Sequence, residues 1–572
     1  MDKDQVAAVL AEIAQTLELN GENPFKVRAY ANAARTIEGL AEDLNELVNK
    51  DELINIKGIG RNLADHIAEL LRTGKIKEYE KMLRDVPDGV KQMLAIPGLG
   101  PKKVHYLWKE LEIKSIGVLE LFCTRHALVK EPGFGAKSEE KILAGIEMLK
   151  RFAGKRRFDE AYAESLKVYK EVSRWPEIIR SDVAGSIRRC KEIVKDIDVL
   201  VSTKKPEQVM KRFVSMRDVE SVIQHGKTKS EVMLNSGIQC DLRVVTDDQY
   251  PFALHYFTGS KEHNIEMRSV AKSRGLKLNE YGLFKGSSKK SLNCKDEAEL
   301  FKALGMDFIP PELRENMGEI QAAQKHKLPK LIKQEDLLGV FHVHSTYSDG
   351  QNSIEQMALS AKERGYSYMV LADHSQAVTV AGGMKPADVK KQHKEVDKLN
   401  AKLKGFCILK GIEIDILADG ALDYDDDLLA TFDVVIAAIH SRFNMNEKEM
   451  TERIIKGISN PHVHIFAHPT GRLLLARDGY AVDLKRVIDT AIKHKVALEI
   501  NAHPQRLDLD WHWCKYAKER GAKIAIGPDA HSVDEIDCAA YGVSVARKGW
   551  LEKQDVLNCL DAKGLLSYLK KK

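Results

Sequence analysis

The residues best placed to do chemistry fall into two sets. The first is Asp196-Ile197-Asp198, preceded by Gly185-Ser186-Ile187-Arg188-Arg189 and followed by Gln239-Cys240-Asp241. Residues two apart on a strand share a face, so Asp196 and Asp198 project together while Ile197 points inward. Two carboxylates side by side repel unless a cation lies between them. A third, Asp241, on an adjacent strand gives a set suited to two Mg²⁺ ions about 4 Å apart, the arrangement that serves in-line phosphoryl transfer. Ser186 and Arg189 then have a natural task as donors to a triphosphate. The second set is imidazole-rich: twelve of the nineteen histidines lie after residue 338. Seven apolar runs there each end in a potential metal ligand: Val340–His344, Met369–His374, Ile408–Glu413, Val434–His440, Val463–His468, Val496–Asn501, and Ile524–Asp529 with His531. Imidazole and carboxylate without thiolate suit Mn²⁺, Zn²⁺ or Fe²⁺ and disfavour Mg²⁺ alone.

The elements that must carry these residues change character along the chain. Residues 1–150 have helical periodicity, as from Lys3 to Leu19, and a motif that repeats: Ile56-Lys57-Gly58-Ile59-Gly60, Ile96-Pro97-Gly98-Leu99-Gly100 and, more loosely, Glu131-Pro132-Gly133-Phe134-Gly135. Two glycines before a helix make a tight turn with outward backbone N–H groups, which can bind a phosphate without reading a base. From Phe158 to Val245 helices mix with β-rich runs, Ile197–Ser202 and Ile238–Val245, and a helical pattern resumes from Asn264 to about Leu304. Pro310-Pro311 and Gln321–Lys333 read as a linker, and beyond Gly339 short apolar runs alternate with helices, as βα units around a parallel sheet do. In a barrel of such units the strand C-termini form one rim, where seven ligand-bearing ends can meet.

Composition narrows the function classes. The 572-residue chain needs several domains, and 44% hydrophobic content is ordinary for a globular protein. No apolar run approaches the roughly 18 residues of a membrane span, and the N-terminus lacks a signal-peptide pattern. Eight cysteines without a CxxC pair argue for a reducing compartment, hence a cytoplasmic protein. Residues 151–340 carry 35 Lys and Arg against 28 Asp and Glu, whereas residues 341–572 carry 32 of each, so the middle third has the charge of a phosphate-backbone footprint.

With Tyr256-Phe257-Thr258-Gly259-Ser260, then Asn264, Arg268 and Asn279-Glu280-Tyr281, the first 315 or so residues resemble the family X DNA polymerases. The resemblance implies that Asp196, Asp198 and Asp241 are catalytic and hold two Mg²⁺ ions, Asp241 being nearest the primer 3′-hydroxyl. It implies that Ser186, Arg189, Tyr256, Gly259, Asn264 and Arg268 bind the dNTP, and that Gly58, Gly60, Gly98, Gly100, Lys26 and Tyr30 contact DNA. His66 stands where the family's lyase lysine would be, and imidazole cannot form the required Schiff base; Asn62 replaces another basic pocket residue.

Residues from about 339 resemble the PHP phosphoesterases. That implies a trinuclear site of Mn²⁺, or Zn²⁺ or Fe²⁺. His342, His344, Glu413 and Asp529 would hold one metal, Glu413, His440 and His468 a second, and Asp349, His374 and His531 a third. The expected fold is therefore multidomain, α+β and α/β. It comprises helix-hairpin-helix regions at 1–85 and 86–155, a nucleotidyltransferase palm at 156–255, fingers at 256–315, a linker at 316–337 and a distorted (β/α)7 PHP barrel at 338–572. The combination implies a monomeric, nucleoid-associated enzyme acting on gapped or primer–template DNA and dNTPs, away from membranes. It would fill gaps in base-excision repair, with Mn²⁺-dependent 3′–5′ exonuclease, 3′-end processing or incision at abasic sites. The alternatives are a barrel acting as a small-molecule phosphatase, and a non-catalytic helix-hairpin-helix DNA-binding protein. Arg442 and Arg472 follow two strand ends and are further candidates to clamp a phosphate.

Overall fold

The computed structural model describes every residue except 2, 39, 41–43, 51, 57, 97, 571 and 572; Lys57 and Pro97 of the glycine repeats therefore lie outside the described residues. The chain forms two compact units, Met1–Ala153 and Gly154–Lys572. Among the described residues no helix is long and apolar enough to cross a membrane. All eight cysteines are free.

The first unit is helical. In α1 (Lys3–Leu19), Val6, Leu10, Ile13 and Leu17 recur at helical spacing and are buried against Ala33, Ala34 and Ile37 of α2 (Pro24–Glu38). The repeats launch α3 (Arg61–Thr73), α4 (Pro101–Lys109) and α5 (Ala136–Phe152). In each the second glycine, Gly60, Gly100 or Gly135, is the extended N-cap residue. The first sits in the left-handed region, with φ of 95° at Gly58 and 82° at Gly98, which an L side chain adopts only under strain. A Cβ at Gly58, Gly60, Gly98 or Gly100 would meet nothing within 4 Å, so these turns face open space.

The second unit begins with a five-stranded sheet: β1 (Ile178–Val183), β2 (Asp196–Thr203), β3 (Val219–His225), β4 (Lys229–Leu234) and β5 (Gln239–Val245), in the order β1-β2-β5-β4-β3. The central pair β2–β5 is parallel and places Asp198 directly opposite Asp241. Ile197, Val199 and Val201 alternate into the core with Cys240, Leu242 and Val244. Then come α6 (Tyr250–Thr258) and α7 (Lys261–Ser273), packed over a separate core that includes Phe252, Met267 and Phe301. Residues 316–337 are packed rather than free: Ile320 and Ala323 join that core, and Ile332 is fully buried in the next one. Their apolar residues are spaced among lysines and glutamines, so composition hides the burial.

Two short antiparallel pairs, Arg156–Arg157 with Ile193–Val194 and Leu276–Asn279 with Gly282–Lys285, complete this half. The strands after residue 338 pair in parallel: β6 (Gly339–Val343), β7 (Tyr368–Leu371), β8 (Cys407–Leu409), β9 (Gly411–Asp415), β10 (Val434–Ala438), β11 (Ile465–Phe466), β12 (Ala497–Asn501) and β13 (Ile524–Gly527). The third apolar run breaks at Lys410 into β8 and β9. Bridges from His374 to Glu413 and from Val343 to Ala530 join the two sheets into a distorted barrel. Nearly every strand residue is buried, as expected when helices cover a parallel sheet.

Candidate active sites

The register of β2 and β5 brings the three aspartates to one end of the sheet. Gly185 (φ 61°) opens the turn beneath them, and a Cβ there would lie 1.9 Å from Asp198 Oδ2, so only glycine fits. Burial first, then the charges of Asp196 and Asp241, push the Asp198 carboxyl up to about 7. Asp196 is raised by burial and by Asp241. Asp241 is held by Gln239 Nε2 at 2.9 Å and faces Lys229 Nζ at 3.1 Å. Three carboxylates crowded so that the central one, Asp198, resists ionisation make a donor set completed by divalent cations.

Around this trio the expected nucleotide contacts gather unevenly. Ser186 Oγ is buried without a hydrogen-bond partner, as a donor awaiting a ligand would be. Arg189 Nε donates to Glu315 at 3.0 Å and Nη1 to the Thr258 carbonyl. Gly259 (φ 69°) brings the turn after α6 so close that a Cβ would stand 3.0 Å from Arg189 Nη1. Asn264 Nδ2 donates to the Tyr256 carbonyl at 2.7 Å and leaves its Oδ1 unpaired. Arg268, one turn further along α7, is exposed. Tyr256 lines a 780 Å³ cavity with Arg243, Phe257, Glu280 and Tyr281, a space whose walls include none of the three aspartates.

The barrel gathers all nine predicted ligands at its strand ends. Three overlapping groups have donor atoms within 4.8 Å of one another: His344, Asp349, His374 and His531; His342, His344 and Asp529; His374, Glu413 and His440. His468 Nε2 lies 3.0 Å from Glu413 Oε1. The grouping is more interwoven than the resemblance implies, since His374 Nδ1 is 2.8 Å from Glu413 Oε2 and His344 joins two groups. That His374–Glu413 approach is not aligned as a hydrogen bond, so both atoms remain unsatisfied, as does His342 Nε2. Burial would raise Glu413, but His440, His374 and His342 outweigh it and hold the carboxyl well below its usual range. Buried, ionised and unsatisfied donors facing one another fit metal binding.

Supporting residues absent from the sequence reading orient these ligands. Glu499, 1% exposed, accepts from His342 Nδ1 and from the His468 backbone N–H at 2.9 Å. Asp415 pairs with His440 Nδ1 at 3.2 Å, turning Nε2 toward Glu413. Asp373 accepts from Ser345, Ser348 and Gln392. Glu499 lies two residues before Asn501 on β12, so strand alternation places it on the ligand face and could have revealed it. Arg472 is not free to clamp a phosphate: it binds Glu192 at 2.7 Å and the Arg506 carbonyl at 3.0 Å. Arg442 is exposed.

In the first unit, Tyr30 OH lies 2.5 Å from His66 Nδ1, while His66 Nε2 and Lys26 Nζ both lie 3.3 Å from Glu78. The expected anion pocket thus contains a carboxylate that offsets Lys26, and an imidazole already engaged.

Tandem glycine hairpins, a sheet with in-register aspartates and a histidine-rich barrel define a class: a polymerase fused to a phosphoesterase. Comparison with known proteins agrees. Helix-hairpin-helix families match residues 1–76 and 90–147, the DNA polymerase beta thumb matches 253–315 (the segment expected as fingers), and the PHP domain matches 341–503. The DNA polymerase/3′-5′ exonuclease PolX of Bacillus subtilis (strain 168) is 41% identical over the full length of both chains. A probable phosphatase of Thermoanaerobacter sp. (strain X514) is 28% identical over 40% of this chain and 94% of its own. The chain belongs to the PolX family, the family X DNA polymerases that carry a PHP domain.

Proposed function

We propose that this protein fills short gaps during base-excision repair with its palm and processes 3′ ends with its barrel. The observation that carries the reading is the coexistence, on one chain, of the in-register Asp198–Asp241 pair and the barrel cluster, eight residues in overlapping groups with His468 against Glu413 as the ninth. The borders given above, 1–85, 86–155, 156–255, 256–315, 316–337 and 338–572, are proposed as its functional divisions.

At the palm, Asp196, Asp198 and Asp241 would hold two Mg²⁺ ions, which supply charge stabilisation along the in-line displacement. Ser186 Oγ and Arg189 donate to the triphosphate, Tyr256 and Gly259 bound the sugar, and Asn264 and Arg268 face the nascent pair. Asp241 lies nearest the primer 3′-hydroxyl and accepts its hydrogen bond. The hairpins at Gly58–Gly60 and Gly98–Gly100 hold DNA phosphates through backbone N–H groups, with Lys26 and Tyr30 beside the strand. In the barrel, His342, His344, Asp349, His374, Glu413, His440, His468, Asp529 and His531 would hold up to three ions, Mn²⁺ or else Zn²⁺ or Fe²⁺, which polarise a phosphate ester. Glu499 and Asp415 fix the ring orientations of His342 and His440. The substrates are gapped or primer–template DNA and dNTPs, and the 3′ chemistry covers exonuclease, removal of blocked ends and abasic-site incision. The protein works as a cytoplasmic, nucleoid-bound monomer.

A small-molecule phosphatase role for the barrel is the second reading, favoured by the match to probable phosphatases. Two variants and two substrates test both. Asp198→Ala should abolish extension of gapped DNA while keeping 3′ processing, and His344→Ala the reverse. With Mn²⁺, DNA bearing a 3′-phosphate should be hydrolysed in preference to a free sugar phosphate. Loss of both activities in either variant would overturn the two-site reading, and preference for the free ester would favour the second.

A further inference from the structure

The helix Ala539–Lys548 (α8) belongs to the barrel half, but its last residue is buried against the polymerase half. Lys548 is 1% exposed, and its ammonium reaches three oxygens: Glu315 Oε1 at 2.6 Å, the Arg189 carbonyl at 3.0 Å and the Glu312 carbonyl at 3.4 Å. These match its three N–H donors. The Trp511 ring closes the remaining side, 4.7 Å from the ammonium. A lysine serving only to join two modules can stay at the rim, where its charge remains hydrated. This one is enclosed, and the oxygen it contacts most closely is the same Glu315 Oε1 that accepts from Arg189 Nε at 3.0 Å. One carboxylate is shared by two cations. Arg189 Nη1 is taken by the Thr258 carbonyl.

We propose that Lys548 is a positioning residue of the polymerase site, supplied by the phosphoesterase half. It holds Glu315 and the Arg189 backbone so that the Arg189 guanidinium keeps both its orientation and its net charge for the incoming triphosphate. The inference rests on the reading of Arg189 as a triphosphate ligand. Its physical content is simple. With Lys548 in place the trio carries one net positive charge. Without it, Glu315 pairs with Arg189 alone, neutralises it and competes with the nucleotide.

Single-nucleotide insertion on gapped DNA by the full-length protein tests this. Lys548→Met should raise the dNTP KM about tenfold, leave kcat within about twofold, and leave 3′ processing and DNA affinity unchanged. Arg547→Met is the matched control. It cuts a neighbouring tie across the same seam, to Glu312 at 2.7 Å and the Ile332 carbonyl at 2.9 Å, without touching Arg189, and should leave dNTP KM unaltered. Equal effects in both variants, or none in Lys548→Met, would overturn the inference. Arg189→Ala separates the two ideas: if it leaves dNTP KM unchanged, the reading of Arg189 itself fails. Should Lys548→Met not fold, the wild-type pH profile decides. The ammonium, lowered to about 8 by burial, faces Glu315, Arg189, Lys191 and Cys190 from the polymerase half, with Glu312 beside them. The dNTP KM should therefore rise between pH 7 and 9, and a flat profile would refute the role.

Discussion

Replacing Asp198 by asparagine should make the metal-free protein more stable while abolishing polymerisation. Asp198 lies between Asp196 and Asp241, and burial with these two charges raises its carboxyl from 3.8 to about 7. At roughly 1.4 kcal/mol per pH unit, ionising it in the fold costs about 4 kcal/mol relative to the unfolded chain. Because the folded value is the higher one, this group's stabilising contribution is full below 3.8 and is lost as pH rises through about 7. Asparagine has the same shape and no charge to lose. In EDTA at pH 8 Asp198→Asn should therefore exceed wild type by up to about 4 kcal/mol, an advantage that shrinks toward pH 5. With about 2.1 cal/mol/K of unfolding entropy per residue over the Gly154–Lys572 unit, the gain is roughly 4–5 °C in Tm. Calorimetry at pH 5 and pH 8 in EDTA measures it, and a Mg²⁺ titration completes the test. The ion should raise the Tm of wild type through the palm far more than that of the variant. If Asp198→Asn is no more stable than wild type at pH 8, or gains as much from Mg²⁺, the carboxylates do not form the electrostatic trap described.

Two further outcomes probe single contacts. Gly185→Ala places a methyl 1.9 Å from Asp198 Oδ2 at φ 61°; gap extension should fall at least about 100-fold from displacing that carboxylate, with 3′ processing intact. Glu499→Gln replaces an acceptor facing His342 Nδ1 or the His468 N–H, so the Mn²⁺ concentration needed for 3′ processing should rise about 10- to 100-fold, while extension stays normal; an unchanged Mn²⁺ dependence would remove Glu499 from the site's support.

The sequence by itself singled out side chains whose types and spacing suit the chemistry. Period-two alternation put Asp196 and Asp198 on one face, and strand-end placement marked the candidate barrel ligands except Asp349, which lies in a turn and came from the family resemblance; both signals depend only on local backbone geometry. The glycine repeats were legible for the same reason: the left-handed φ at Gly58 and Gly98 is a local demand. Tertiary structure decided what depends on distant segments meeting. It set Asp198 opposite Asp241, drew His374 toward Glu413, and placed Glu499 behind His342. It also bound Arg472, a candidate phosphate clamp in the sequence, to Glu192 and buried Lys548 beside Arg189, so that both are ties between halves. Charge pairing across hundreds of residues leaves no periodic trace in the chain, whereas the faces of strands and the turns before helices do.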